Sequence, residues 1–216
     1  MKKRLAVGII FSMMVLALSG CGNANEDTQN TSEVTEISTD SDANEDEVTY
    51  SDIMAGTIYD NVYTNESFNF QFIMPEGWTF YDAATVANST GVDEAVIEGF
   101  WKGTESAYDY AMSYCMIACD STKGTSVIVS YFCPERYNLL PDTTAKEYLT
   151  NSAKGFEDAK IYDDKLGSMD MTCLELAERE DSKQYMYATD RDGIILMITF
   201  TTLTDEDIDT YKAMIK

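Results

Sequence analysis

Lys183-Gln184-Tyr185-Met186-Tyr187-Ala188-Thr189-Asp190-Arg191-Asp192-Gly193-Ile194-Ile195-Leu196-Met197-Ile198-Thr199-Phe200-Thr201 is the stretch that decides the fold. Asp-Gly between two runs rich in β-branched and aromatic residues is a strong two-residue hairpin motif. Side chains alternate across a strand. Tyr185, Tyr187, Leu196, Ile198 and Phe200 therefore fall on one face, and Met186, Ala188, Ile195 and Met197 on the other. Both faces are substantially apolar, so the sheet needs cover on both sides.

Further strands extend this sheet. Met169 to Glu178 is one, and Tyr108 to Ala118 and Thr125 to Cys133 are two more, joined through Ser121-Thr122-Lys123-Gly124. That turn places Cys133 opposite Met112. The cover comes from helices. Thr144 with Glu147 three residues later forms a capping box, and Ala145, Tyr148, Leu149, Ala153 and Phe156 follow at helical spacing, with Gly155 at the end. A last helix starts at the N-cap Thr204, with Asp205, Glu206 and Asp207 in its first turn and Ile208, Tyr211 and Ile215 as its stripe. Residues 82–102 are ambiguous, with an amphipathic helix between Val92 and Trp101 as one reading. Near the start, Thr57 to Tyr63 and Phe68 to Ile73 read as a strand pair turned at Asn65-Glu66-Ser67, and Pro75-Glu76-Gly77 ends the second strand. The expected class is α/β (α+β), an antiparallel sheet sandwiched between helices.

The globular domain spans 51–216. Before it, residues 22–50 are rich in Asn, Ser, Thr, Asp and Glu and contain no Lys or Arg. Such a stretch buries too little to offset its ordering entropy, so 21–50 reads as a disordered acidic tether. Residues 1–20 have the form of a secretory signal peptide: a basic tip, Lys2-Lys3-Arg4, an apolar run from Leu5 to Leu18, and a small-residue cleavage site. The apolar run is shorter than the roughly 20 residues a spanning helix needs. Leu18-Ser19-Gly20-Cys21 resembles a bacterial lipobox. That resemblance implies cleavage before Cys21 and a covalent diacylglyceryl or acyl (palmitate) lipid on its sulfur. The implied location is the cell membrane, lipid-anchored and facing outside the cytoplasm.

The 216-residue chain carries a net charge of −23 at neutral pH. Its surface repels nucleic acid and anionic headgroups, so the expected membrane contact is through the anchor alone. Basic partners or divalent cations would be attracted. There is no histidine, so neither a Ser-His-Asp nor a Cys-His site is available, and the usual base near neutral pH is missing. Cys115, Cys119, Cys133 and Cys173 remain after Cys21. Cys115 and Cys119 lie about 13 Å apart along a strand, too far to bridge, and no C-x-x-C pair occurs. Buried free thiols are expected, with a four-thiolate zinc site as the alternative.

Asp163-Asp164, Glu178-Glu180-Asp181 and Asp205-Glu206-Asp207-Asp209 offer hard oxygen ligands, but none has the twelve-residue calcium loop, and Asp190-Arg191-Asp192-Gly193 is explained by the hairpin. No metal site is expected. Trp78 either presents itself to a partner or caps the core. Phe100-Trp101 is an interaction candidate if exposed, and core if buried. No catalytic residue is singled out.

Tyr63-x-Asn65, Phe68-x-Phe70-x-Phe72 and Pro75-Glu76-Gly77-Trp78 resemble the opening of PsbP-like lipoproteins of Gram-positive bacteria. The Thr144-Ala145-Lys146-Glu147-Tyr148-Leu149 helix and the closing Gln184-Tyr185-Met186-Tyr187, Gly193 and Thr204-Asp205-Glu206 pattern are similar to theirs. The resemblance implies the PsbP-like fold. That fold includes the extrinsic PsbP subunit of photosystem II and a nuclear-import factor that binds a small GTPase, both accessory proteins without an active site. It therefore implies a non-catalytic binding or accessory role toward an unidentified protein partner, with no cofactor beyond the Cys21 lipid. A small-ligand or solute-binding lipoprotein is the alternative, and an enzyme comes third.

Overall fold

Asp192 (φ 51°) and Gly193 (φ 75°) both take the left-handed conformation that a type I′ hairpin turn requires, and Arg191 pairs with Ile194 across it. This is a computed structural model, and it describes residues 53–179, 182–203, 206 and 208–216. The expected signal peptide 1–20, the expected lipidated Cys21 and tether 21–50, and the expected N-cap Thr204 lie outside the described residues. In chain order the elements are β1 (Thr57–Tyr59), β2 (Val62–Asn65), β3 (Phe70–Ile73), β4 (Thr79–Phe80), α1 (Ala83–Thr90), α2 (Glu94–Trp101), β5 (Met112–Asp120) and β6 (Thr125–Phe132). They continue with α3 (Ala145–Ser152), β7 (Lys160–Leu166), β8 (Met169–Arg179), β9 (Ser182–Arg191), β10 (Ile194–Leu203) and α4 (Ile208–Lys212).

The main sheet is antiparallel throughout, in the order β4-β5-β6-β10-β9-β8-β7, and a smaller sheet runs β1-β2-β3. The two faces of the β9–β10 hairpin divide as the alternation requires. Tyr185, Tyr187, Leu196, Ile198 and Phe200 pack with Tyr63 and Phe72 of the small sheet and with Tyr211 of α4. Met186, Ala188, Ile195 and Met197 pack under Tyr148 and Leu149 of α3. Val86 of α1 and Ile97 of α2 cover Ile117 and Ile128. The sheet is thus covered on both faces, by helices on one and by the small sheet with α4 on the other. Burying each large apolar side chain here contributes about 1.5–3 kcal/mol.

The capping box of α3 is present, with Glu147 N–H donating to Thr144 Oγ1 (3.2 Å) and Thr144 N–H to Glu147 Oε2 (3.0 Å). A contact across 45 residues docks the same helix end, where Ala145 N–H donates to the Asp190 carboxylate at 2.8 Å.

Several details correct the sequence reading. Thr57 to Tyr63 is not one strand, because Asp60 (φ 52°) turns the chain between β1 and β2. Residues 82–102 hold two helices, capped by Asp82 and Asp93. The α3 stripe ends early, leaving Phe156 43% exposed. Ile215 lies past α4 and bridges Phe72 as a strand-like pair. β7 was not anticipated, since its Lys160, Asp163, Asp164 and Lys165 are those of a charged edge strand that resists further pairing. Cys133 stands beside Ala111, not Met112, because a bulge between Tyr114 and Met116 adds Cys115 to β5 and shifts the register by one.

Thr144→Ala removes half of the capping box. Urea unfolding is expected to show a loss of about 1 kcal/mol with an unchanged m-value.

Candidate functional site

The chain enters the domain through a buried polar knot. Asn65 is fully buried at the end of β2, and its Nδ2 donates to both the Tyr63 hydroxyl (2.9 Å) and the Tyr131 hydroxyl (2.8 Å). Each phenol then donates onward, Tyr63 to Ala55 O (2.6 Å) and Tyr131 to Met54 O (2.8 Å). Asn65 Oδ1 accepts Phe68 N–H at 3.0 Å, so the carboxamide is satisfied at both ends. Gly56 sits within this knot at φ 88°, where a Cβ would come 2.6 Å from Thr64 O and 2.7 Å from the Tyr63 ring. The bulge turns Cys115 toward both phenols. Burial pushes the Cys115 thiol and the Tyr63 and Tyr131 phenols up, so all three are neutral groups here.

Phe100 and Trp101 do not form an exposed patch. Phe100 is 3% exposed and meets Tyr131 edge-on at 6.0 Å. Trp101 is half-buried, and its Nε1 donates to Tyr114 O at 2.8 Å, closing an edge carbonyl of β5 next to the bulge. Phe100 packs into the core and Trp101 packs against two core clusters, so both aromatics of the pair are used internally. Trp78 is half-buried, edge-on to Tyr211 at 6.1 Å.

A groove of about 500 Å³ runs between the start of α3 and strands β7 to β9, lined by Lys146, Asp163, Asp170, Thr172 and Asp190 among others. Its acids are engaged. Lys146 Nζ donates to both Asp163 oxygens at 3.0 Å, and this holds the exposed Asp163 carboxyl below its ordinary value. For Asp164, burial works against the charge, but Lys212 (2.7 Å), the Lys165 amide (2.7 Å) and the Tyr187 hydroxyl (3.1 Å) prevail, so its carboxyl is also held down. A depressed carboxyl stays a charged acceptor and makes a poor general acid. Glu206 behaves likewise. Burial opposes its charge, and bonds from Tyr211, Lys123 (3.2 Å) and the Leu203 amide (3.4 Å) outweigh it, tying α4 to the β5–β6 turn.

Cys115, Cys119, Cys133 and Cys173 are all free and buried. Burial pushes the Cys173 thiol up to about 11, away from thiolate chemistry. Among the described residues no group of three or more Cys, Asp or Glu is placed to hold a metal ion, and no helix is long and apolar enough to cross a membrane. Glu180, Asp181, Asp205 and Asp207 lie outside the described residues, as do the lipobox residues Leu18, Ser19, Gly20 and Cys21. The residues that sequence reasoning missed are Asn65 as a buried hub, Asp190 as the dock for α3, and Trp101 as the cap of an edge carbonyl.

No protein-family model matches the chain, and no curated protein matches it. Among solved structures it is similar to the solution structure of cyanobacterial PsbP (CyanoP) from Synechocystis sp. PCC 6803, at 16% identity and TM-score 0.35, covering 70% of this chain and 84% of that one. It is also similar to a crystal structure from Bacteroides thetaiotaomicron, at 11% identity and TM-score 0.35, covering 68% of this chain and 44% of that one. The match thus spans less than half the length of the Bacteroides protein.

The depressed carboxyls set a pH dependence. Their folded values lie below the unfolded ones, so their contribution is present above pH 4–5 and is lost as pH falls through the folded values. Urea midpoints are expected to drop steadily below about pH 4, and Asp164→Asn is expected to flatten that drop. A slope unchanged by Asp164→Asn would contradict the ion pair's role.

Proposed function

We propose that this chain is a lipid-anchored protein of the PsbP-like lipoprotein type, displayed outside the cytoplasm, with a non-catalytic binding or accessory role toward a protein partner. The observation that carries this reading is Leu18-Ser19-Gly20-Cys21 at the end of a basic-then-apolar leader. The tether that follows has a length and acidity suited to holding the domain off an anionic surface. The chemistry of the domain supports a binding role. Its thiols are buried, its groove carboxylates are held as charged acceptors, and the chain has no histidine. The motifs from Tyr63 to Trp78 support the PsbP-like assignment, and the partner is a protein because the anionic surface disfavours nucleic acid.

The test is expression of the full chain in a Gram-positive host, with mass spectrometry of the amino-terminal peptide and fractionation of membranes. The expected mature chain begins at Cys21 and carries a diacylglyceryl mass. Cys21→Ala is expected to shift the protein from the membrane to the soluble fraction by on the order of 10-fold or more, since stable anchoring takes two acyl chains. A mature chain that begins elsewhere and lacks lipid would contradict the reading.

A further inference from the structure

The small sheet has one face in the core and one outside. Tyr63 and Phe72 are directly paired and buried, so the residues aligned one step along, Tyr59, Val62 and Ile73, stand together on the outer face. Tyr59 is 79% exposed and Ile73 is 43% exposed. The sheet's two edges differ. On the β3 side, Gln71 and Lys216 exchange backbone hydrogen bonds and Ile73 N–H donates to Met214 O, so that edge is closed by the chain itself. On the β1 side, Tyr59 and Val62 close a two-residue turn, and the alternation of an antiparallel ladder directs the Ile58 N–H and C=O away from β2. Ile58 is also 42% exposed. An apolar row and a strand edge that is unpaired among the described residues therefore meet at the same place.

Both exposed charges on the two turns beside this row are acidic. Asp60 is the exposed tip of the β1–β2 turn, and Glu76 is exposed in the turn after β3, where Met74 N–H donates to Asn61 O and brings the two turns together. From Leu5 to Trp101 the sequence contains no Lys or Arg. Arg191 and Lys216 do reach the small sheet, but they bond at Ser67 and Gln71, toward the other end of the strands from Tyr59.

We infer that the outer face of the β1–β2–β3 sheet, with Tyr59, Val62 and Ile73 at its centre, the Ile58 backbone at its open edge and Asp60 and Glu76 on its rim, docks a basic, strand-forming segment of a partner protein. The segment adds to the β1 edge through Ile58, sets apolar side chains on the row, and places Lys or Arg against the two rim carboxylates. An anionic lipid surface would be repelled, and a second copy of this acidic face would meet like charge. This inference rests on the accessory reading above and gives that role a surface.

The test places a benzophenone photo-crosslinking residue at position 59 of the full-length, membrane-anchored chain, with position 157 as the control on a distant exposed turn. Crosslinked peptides are sequenced. The expected result is a peptide of another protein, captured at 59 and not at 157, that carries Lys or Arg beside apolar residues. Its yield is expected to fall about 10-fold in Asp60→Lys/Glu76→Lys, and likewise when salt is raised from low ionic strength to about 0.5 M, where the screening length is only a few Å. These rim side chains are exposed, and an unchanged thermal midpoint of the double variant shows that the loss is not unfolding. Capture of lipid, of a second copy or of residues 1–52 of the same chain would overturn the inference, as would capture indifferent to charge and salt. A partner captured only at 157 would overturn this surface while leaving the accessory role standing. Absence of a partner at both positions would count against both.

Discussion

A single carboxamide holds three parts of this domain in register. Asn65 donates to two phenols that come from different sheets, and each phenol passes its own proton to the backbone of the incoming segment 54–55. A polar group placed this deep costs several kcal/mol unless every donor and acceptor is matched, and here each is. The arrangement therefore has one low-energy solution. β2 must sit over β6, the segment at Met54–Ala55 must run between them, and Gly56 must turn where no Cβ fits. The bulge at Cys115 belongs to the same constraint, since it turns a small neutral side chain toward the two phenols.

From this knot the rest of the packing follows outward. The small sheet covers one face of the main sheet, and α4 and the closing segment complete that cover through Tyr211 and Ile215. The opposite face is left to α1, α2 and α3. Polar contacts fix the ends of these covers: Asp190 holds the first turn of α3, Trp101 closes the β5 edge, and Glu206 and Asp164 hold α4 and its last turn. These polar groups attach covers to the sheet. The row at Tyr59 and Ile73, with its acidic rim, faces outward from this scaffold and is the surface proposed for a partner.

The β9–β10 hairpin was legible because its turn type depends on two residues alone and its alternation survives burial on both faces. The α3 cap was legible for the same local reason. The bulge at Cys115 was not, since nothing in Tyr114-Cys115-Met116 differs from an ordinary strand until the partner strand is counted against it. β7 was hidden by the charges that protect it as an edge. α1 was hidden because Ala83, Val86 and Thr90 make a narrow stripe of small residues. Asn65 stood in a motif but carried no sign of its role, because its partners lie 2 and 66 residues away. Phe100 and Trp101 were legible as aromatic and ambiguous in exposure, which depends on how α2 packs on β5. The proposed anchor at Cys21 is read from the leader sequence alone.

Tyr63 and Tyr131 act as one unit through Asn65. A double-mutant cycle of Tyr63→Phe and Tyr131→Phe, followed by urea unfolding, tests it most directly, because each change deletes one hydroxyl and keeps the ring. The expected coupling between the two substitutions is about 1 kcal/mol or more. Additive losses, with coupling no larger than about 0.3–0.5 kcal/mol, would contradict it.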